Sequence, residues 1–165
     1  MSGRRSSANA YVIEPAGGIY CFEAASECQM DLKGKAIVIT GAAQGLGQKM
    51  AETVAARGAN VALVDVDYPK MKDTVRLCSR VGSEVKDYAA DVTDEQAVVA
   101  LFDSLHKDFG RVDGVINNAG ITSDGLLVKV QDGKVQNKMS LEDFHKVIAV
   151  DLRGSFCADA RPPRT

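Results

Sequence analysis

The first 29 residues of this 165-residue chain hold no apolar run long enough for a signal peptide or a membrane span. Arg4, Arg5, Ser6 and Ser7 have a transit-peptide flavour, but Glu14, Glu23 and Glu27 argue against one, and a twin-arginine export signal would need the missing hydrophobic stretch. Segment 1–29 is expected to be a disordered extension or a mis-assigned upstream start, with Met30 as the ordinary initiator. Cysteine is scarce: Cys21, Cys28, Cys78 and Cys157 show no metal-ligand spacing, which suits reduced thiols and a cytoplasmic protein. His106 and His145 fall on separate expected helices with no ligand beside them, so no metal site is expected. Basic excess is absent too. The net charge is -2 with no basic patch, which speaks against nucleic acid as a partner. No internal repeat or low-complexity block stands out.

What the chain does hold is enough apolar material for a core, at 45% hydrophobic and 25% charged residues. Ala36 to Thr40 (AIVIT) reads as a buried parallel strand. A glycine-rich turn follows, Thr40-Gly41-Ala42-Ala43-Gln44-Gly45-Leu46-Gly47. Gly45 to Arg57 then takes helical spacing, with Leu46, Met50 and Val54 on one face and Gly58 as the stop. Glycines at a strand-to-helix turn let the backbone approach a ligand closely. The free amides at the helix start, with the helix dipole behind them, suit a pyrophosphate. The candidate contacts are Gly41, Gln44, Gly45, Leu46 and Gly47. A glycine-rich loop without a ligand is the plain alternative.

A second apolar strand, Asn60 to Asp65 (NVALVD), ends in an acid 24 positions after Gly41. A carboxylate there can accept hydrogen bonds from an adenosine ribose. It can equally cap a strand end, and Asp67 competes for the role. The alternation continues with a helix over Tyr68 to Val81, a strand within Glu84 to Ala90, a helix from Asp94 to Phe109 and a strand from Val112 to Ile116. Thr93 with Gln96 makes a capping-box pattern before the second of these helices. Ile121 to Met139 reads as a loop, either a lip over a site or a surface excursion. Ser140 with Asp143 opens a helix running to Phe156, with Phe144, Val147, Ile148, Leu152 and Phe156 along one side. Right-handed crossovers give an α/β, Rossmann-type doubly wound parallel sheet, N-terminal half only, with strand order 3-2-1-4 and an open apolar edge on the fourth strand.

TGAAQGLG, the strand-end Asp65, Asp91-Val92 and Asn117-Asn118-Ala119-Gly120, in this order, resemble the short-chain dehydrogenase/reductase family. The resemblance covers about residues 30 to 156, the incomplete NAD(P)-binding domain, and leaves 157–165 as a tail of another kind. Asn117 to Leu127 is most similar to the 3-oxoacyl-[acyl-carrier-protein] reductase branch. The resemblance implies that the glycine turn holds the pyrophosphate, that Asp91 and Val92 lie along the adenine, and that Asn118, Ala119 and Gly120 line the adenosine-ribose side. It implies an NAD(P)(H)-dependent oxidoreductase reducing a ketone or oxidising a secondary alcohol. Asp65, with Gln44 where many phosphate-preferring relatives carry Arg, favours NAD(H) over NADP(H). The partner is then a dinucleotide. A small carbonyl or alcohol substrate is expected only in an intact relative.

The family's Ser and its Tyr-x-x-x-Lys belong downstream of Thr165, so this truncated form is expected to be inactive by itself. The only Tyr-x-x-x-Lys, Tyr68 to Lys72, sits directly after the second strand and is expected to be a structural coincidence. Asp151 stands where the family usually has an Asn that helps hold a water, and an ionised Asp only accepts hydrogen bonds. The catalytic set is therefore incomplete. The alternative is a non-catalytic dinucleotide-binding module, or a fragment joining a homo- or hetero-oligomer through the helix Ser140 to Phe156, which in the family contributes to the subunit interface.

Overall fold

The computed structural model describes residues 10–13, 19–22, 31–122 and 127–159. The remainder of segment 1–29, the expected tail from residue 160 and part of the Asn117 to Leu127 run lie outside the described residues. Two units divide the chain at Asp31. In the first, β1 (Ala10–Ile13) pairs antiparallel with β2 (Ile19–Phe22), Ala10 facing Phe22.

The second unit runs β3 (Ala36–Thr40), α1 (Gly45–Ala56), β4 (Asn60–Asp65), α2 (Tyr68–Ser79), β5 (Val85–Ala89), α3 (Glu95–Phe109) and β6 (Gly114–Ile116). The four strands are all parallel and lie in the order β5-β4-β3-β6. This is the expected 3-2-1-4 arrangement of a Rossmann-type sheet. Strand alternation sorts the core into two layers. Ile37, Ile39, Val61 and Leu63 face Ala51 and Ala55 of α1 and Met71 and Cys78 of α2. Val38, Ala62 and Val64 face Val98, Leu101, Phe102 and Leu105 of α3. Leu105 is fully buried, so truncating it to Ala costs about 2–5 kcal/mol.

The spacing in α1 is helical as expected, but its core stripe is Gly47, Ala51 and Ala55. Leu46 is 73% exposed, and with Met50, Val54 and Ile116 it lines a shallow groove beside the open edge of β6. Small residues on the inner face bring the helix axis close to the sheet and push the larger stripe outward.

Beyond β6 the structure departs from a plain loop. β7 (Val128–Gln131) and β8 (Lys134–Lys138) form an antiparallel hairpin, turned at Asp132-Gly133 with φ of 50° and 70°. Asp-Gly with two positive φ values matches the twist of a tight hairpin. The last helical stretch starts as read: Ser140 Oγ accepts from the Asp143 amide at 3.0 Å and donates to its carboxylate at 2.6 Å. It is not one α-helix, however. α4 (Leu141–Ile148) passes into a π-helical turn (Ala149–Gly154) and then α5 (Ser155–Asp159). A further correction concerns α3, whose N-cap is Asp94, accepting from the amides of Gln96 and Ala97. Thr93 instead turns back to Asp91, donating both its amide and its hydroxyl to Oδ1.

The start of the central sheet hangs on Asp113. Its carboxylate accepts from the Ala36 amide at 2.9 Å, from Arg111 and, at 3.4 Å, from Lys35. Arg111 first, then the Ala36 amide and Lys35, hold the Asp113 carboxyl down at about 2 against the opposing effect of burial. Its stabilisation is full above the unfolded-state value of about 4 and is lost as pH falls through about 2. Asp113→Asn should cost about 1 kcal/mol at pH 7 in urea unfolding, a difference that narrows between about pH 4 and 2.

Candidate functional site

The carboxyl ends of β3, β4, β5 and β6 meet at one cleft of about 640 Å³. In a parallel sheet these ends are where chain connections diverge and leave a crevice. Gly41, Gln44, Gly45 and Leu46 form one wall, Asp65 and Val66 the next, Asp91 to Thr93 a third, and Asn118 to Ile121 the last.

The glycine turn is shaped by close approach. A Cβ on Gly47 would run into the Gly41 carbonyl and lie 2.6 Å from Asn118 Nδ2. Gly47 alone among the expected contacts does not line the cleft; it sets the spacing behind it. Asn118 donates from Nδ2 to the Thr40 and Gly41 carbonyls at 3.0 and 3.1 Å. Thr40 Oγ1, nearly fully buried, accepts from the Asn118 and Ala119 amides, both at 3.0 Å. Asn118 thus ties the segment after β6 to the carboxyl end of β3.

Gly45 differs from Gly47. It has a φ of 60°, and a Cβ there would have no atom within 4 Å. It faces open space at the start of α1. The first turn of α1 has amides with no intrahelical partner. Its N-cap Gln44 supplies no side-chain bond and its first turn holds no acid, whereas α3 and α4 are capped by Asp94 and Ser140. That donor set fits an anion brought by a ligand.

Asp65 and Asp67 separate cleanly. Asp65 lines the cleft, its Oδ2 accepting from the Ala43 amide and its Oδ1 from the Asp67 amide, each at 2.9 Å. The carboxylate braces the turn through both oxygens and lies on the cleft wall. The Asp67 carboxylate is taken by Lys70 at 2.5 Å, and this hydrogen bond lowers its pKa. Asp91 and Val92 line the cleft, and Gly154 packs so tightly on Val92 that a Cβ would be 2.7 Å from Cγ2. Arg153 donates to the Thr93 carbonyl at 3.0 Å, so the π-helical turn is docked on this wall.

Lys146, Ala149 and Val150 also line the cleft, and sequence reasoning missed them. Ala149 and Val150 lie in the π-helical turn, which widens the helix and changes which side chains share a face, so a 3.6-residue pattern cannot assign them. Asp151 accepts at Oδ1 from the Ile121 amide at 3.0 Å, tying this turn to the segment after β6. For that bond an acceptor suffices. Tyr68 opens α2 and does not line the cleft. A hydrogen bond to Asp87 raises its phenol pKa, the reverse of what a general acid at neutral pH needs. Among the described residues no group of three or more His, Cys, Asp or Glu could hold a metal ion, and no helix is long and apolar enough to cross a membrane.

Sheet order, the uncapped turn and the strand-end acid define a Rossmann-type fold with its crevice at the strand carboxyl ends. Residues 35–160 match the short chain dehydrogenase family, and the chain belongs to it. It is 38% identical over 125 residues to the uncharacterized oxidoreductase YxbG of Bacillus subtilis, covering 76% of this chain and 43% of that protein. With 3-oxoacyl-[acyl-carrier-protein] reductase FabG of Thermotoga maritima it shares 34% over 127 residues, 77% of this chain and 48% of the relative. Among solved structures, a short chain dehydrogenase/reductase of Burkholderia phymatum in complex with NAD aligns with a TM-score of 0.68 at 32% identity, over 78% of this chain and 42% of that one. The chain spans about half the length of the curated relatives it matches.

The two glycines should respond differently to substitution. Gly47→Val has no room and should lose about 3 kcal/mol or more of stability. Gly45→Val has space and should pay only the left-handed backbone strain, about 1–2 kcal/mol, keeping the chain folded. Urea midpoints with circular dichroism would separate the two.

Proposed function

We propose that this chain carries the adenosine-binding half of an NAD(H)-dependent oxidoreductase that interconverts ketones and secondary alcohols. The observation that carries the reading is the uncapped first turn of α1 opening on the same cleft as the Asp65 carboxylate. Gly45 and Leu46 would hold the pyrophosphate, Asp65 the ribose hydroxyls, and Asp91 and Val92 the adenine side, with Asn118, Ala119 and Gly120 closing the ribose wall. A bound nicotinamide dinucleotide supplies the hydride donor or acceptor. A 3-oxoacyl thioester is the substrate class suggested by the FabG relatives.

The choice between NAD and NADP rests on Asp65. Structural relatives have been solved with each, so the fold admits both. A ribose 2′-phosphate would meet the Asp65 carboxylate, and Gln44 brings no charge to offset it. Among the described residues the cation lining the cleft is Lys146, and it is already paired with Glu142 at 2.8 Å. Repulsion of this kind amounts to a few kcal/mol when partly desolvated, on the order of a hundredfold in affinity. Calorimetric titration should show NAD(H) binding about a hundredfold tighter than NADP(H), and Asp65→Asn should shrink that ratio. Tighter NADP(H) binding by the parent chain contradicts the proposal. Gly45→Val should abolish binding through bulk in the cleft, whereas Tyr68→Phe should leave it intact.

Hydride transfer by these 165 residues alone is not expected. Among the described residues no tyrosine lines the cleft to protonate an alkoxide, a step general acids accelerate by about 10²–10⁴-fold. Phe144, Leu152 and Phe156 expose an apolar stripe, and β6 is an open sheet edge, so the chain should self-associate or join larger relatives. Steady oxidation of NADH with an acetoacetyl thioester, tracking a monomeric chromatographic peak, would contradict both expectations.

A further inference from the structure

Thr74 is completely buried in α2, a helix that contributes no residue to the cleft lining. A helical threonine commonly turns its hydroxyl back on its own helix, to the carbonyl one turn earlier. Thr53 in α1 does so, donating to the Lys49 carbonyl at 2.7 Å. Thr74 does not. Its Oγ1 donates across the core to the Ala42 carbonyl at 3.0 Å, with the Ala43 carbonyl at 3.4 Å, and accepts from Gln48 Nε2 of α1 at 3.0 Å.

This bond completes a cage around two residues of the glycine turn. The Ala42 amide donates to the Val64 carbonyl at 3.2 Å and the Ala43 amide to Asp65 Oδ2 at 2.9 Å. Both alanines are buried, so losing the Thr74 hydroxyl would take a donor away from buried carbonyls. The peptide units would have to rotate to find other partners, carrying the Ala43 amide off Asp65.

We propose that Thr74, oriented by Gln48, is a positioning residue that fixes the Ala42–Ala43 backbone and, through it, the Asp65 carboxylate, and so sets the preference between NAD(H) and NADP(H). The proposal rests on the dinucleotide reading of the cleft. Packing and hydrogen bonding predict opposite results at this position: Val keeps the shape of Thr and removes the hydroxyl, while Ser keeps the hydroxyl and removes the methyl.

The test uses the full chain, with two readouts. Amide hydrogen exchange without ligand should speed up at Ala42 and Ala43 in Thr74→Val, with β3 still protected, and stay near the parent in Thr74→Ser. NAD(H) affinity should fall about tenfold in Thr74→Val with a narrowed NAD(H)/NADP(H) ratio, and change less than about twofold in Thr74→Ser. Gln48→Leu, at a half-buried site, should shift both readouts in the same direction, and it decides the matter if Thr74→Val fails to fold. A valine variant that behaves like the parent, or a serine variant as loose as valine, overturns the positioning role. A parent chain that binds neither dinucleotide overturns the functional reading, and the exchange pattern still decides the role of Thr74.

Discussion

Everything at the cleft depends on how closely α1 meets the end of β3. Gly47 has no side chain because the Gly41 carbonyl and the Asn118 amide group occupy that space. This contact fixes where the first turn of α1 points. It also gives a role to Asn118, just past β6 and far away in sequence, which donates twice to the end of β3 and the turn. A bulkier residue at position 47 would push α1 outward and separate the amides of its first turn from the Asp65 carboxylate.

The same constraint reaches into the core. Close approach requires small residues on the inner face of α1, and Ala51 and Ala55 supply them. The large residues Leu46 and Met50 are left outside, beside the β6 edge. On the other layer Val98, Leu101, Phe102 and Leu105 carry the bulk, so α3 anchors the sheet while α1 serves the cleft. A ligand that filled the cleft would bridge walls contributed by all four strands and would stabilise the sheet in proportion to its affinity.

The parallel sheet was legible in the sequence because β3 and β4 are continuous apolar runs bounded by glycine or acid, a pattern that helices rarely imitate. Asp65 was legible as a cleft residue from its distance to the glycines, and only the structure shows Asp67 outside the cleft lining and held by Lys70. The hairpin at Val128 to Lys138 carried its own signal in Asp132-Gly133, but every residue of its strands is exposed, so no core pattern marked it. The π-helical turn after Ile148 left no mark at all, since a one-residue widening does not alter composition. Thr74 stayed invisible for a related reason. Its carbonyl partners lie 31 and 32 residues away across the core, and a lone threonine in a helix says nothing about a distant carbonyl.

The central claim is that the first turn of α1 receives a pyrophosphate while Asp65 receives the adjoining ribose. Adding ADP-ribose to isotopically labelled chain and following backbone amide resonances tests it most directly. The account predicts the largest shifts at Gly45, Leu46 and Gly47, with a second cluster at Ala43 and Val66 beside the Asp65 carboxylate. Shifts absent from these amides, or gathered on the hairpin or along α4 instead, would contradict it.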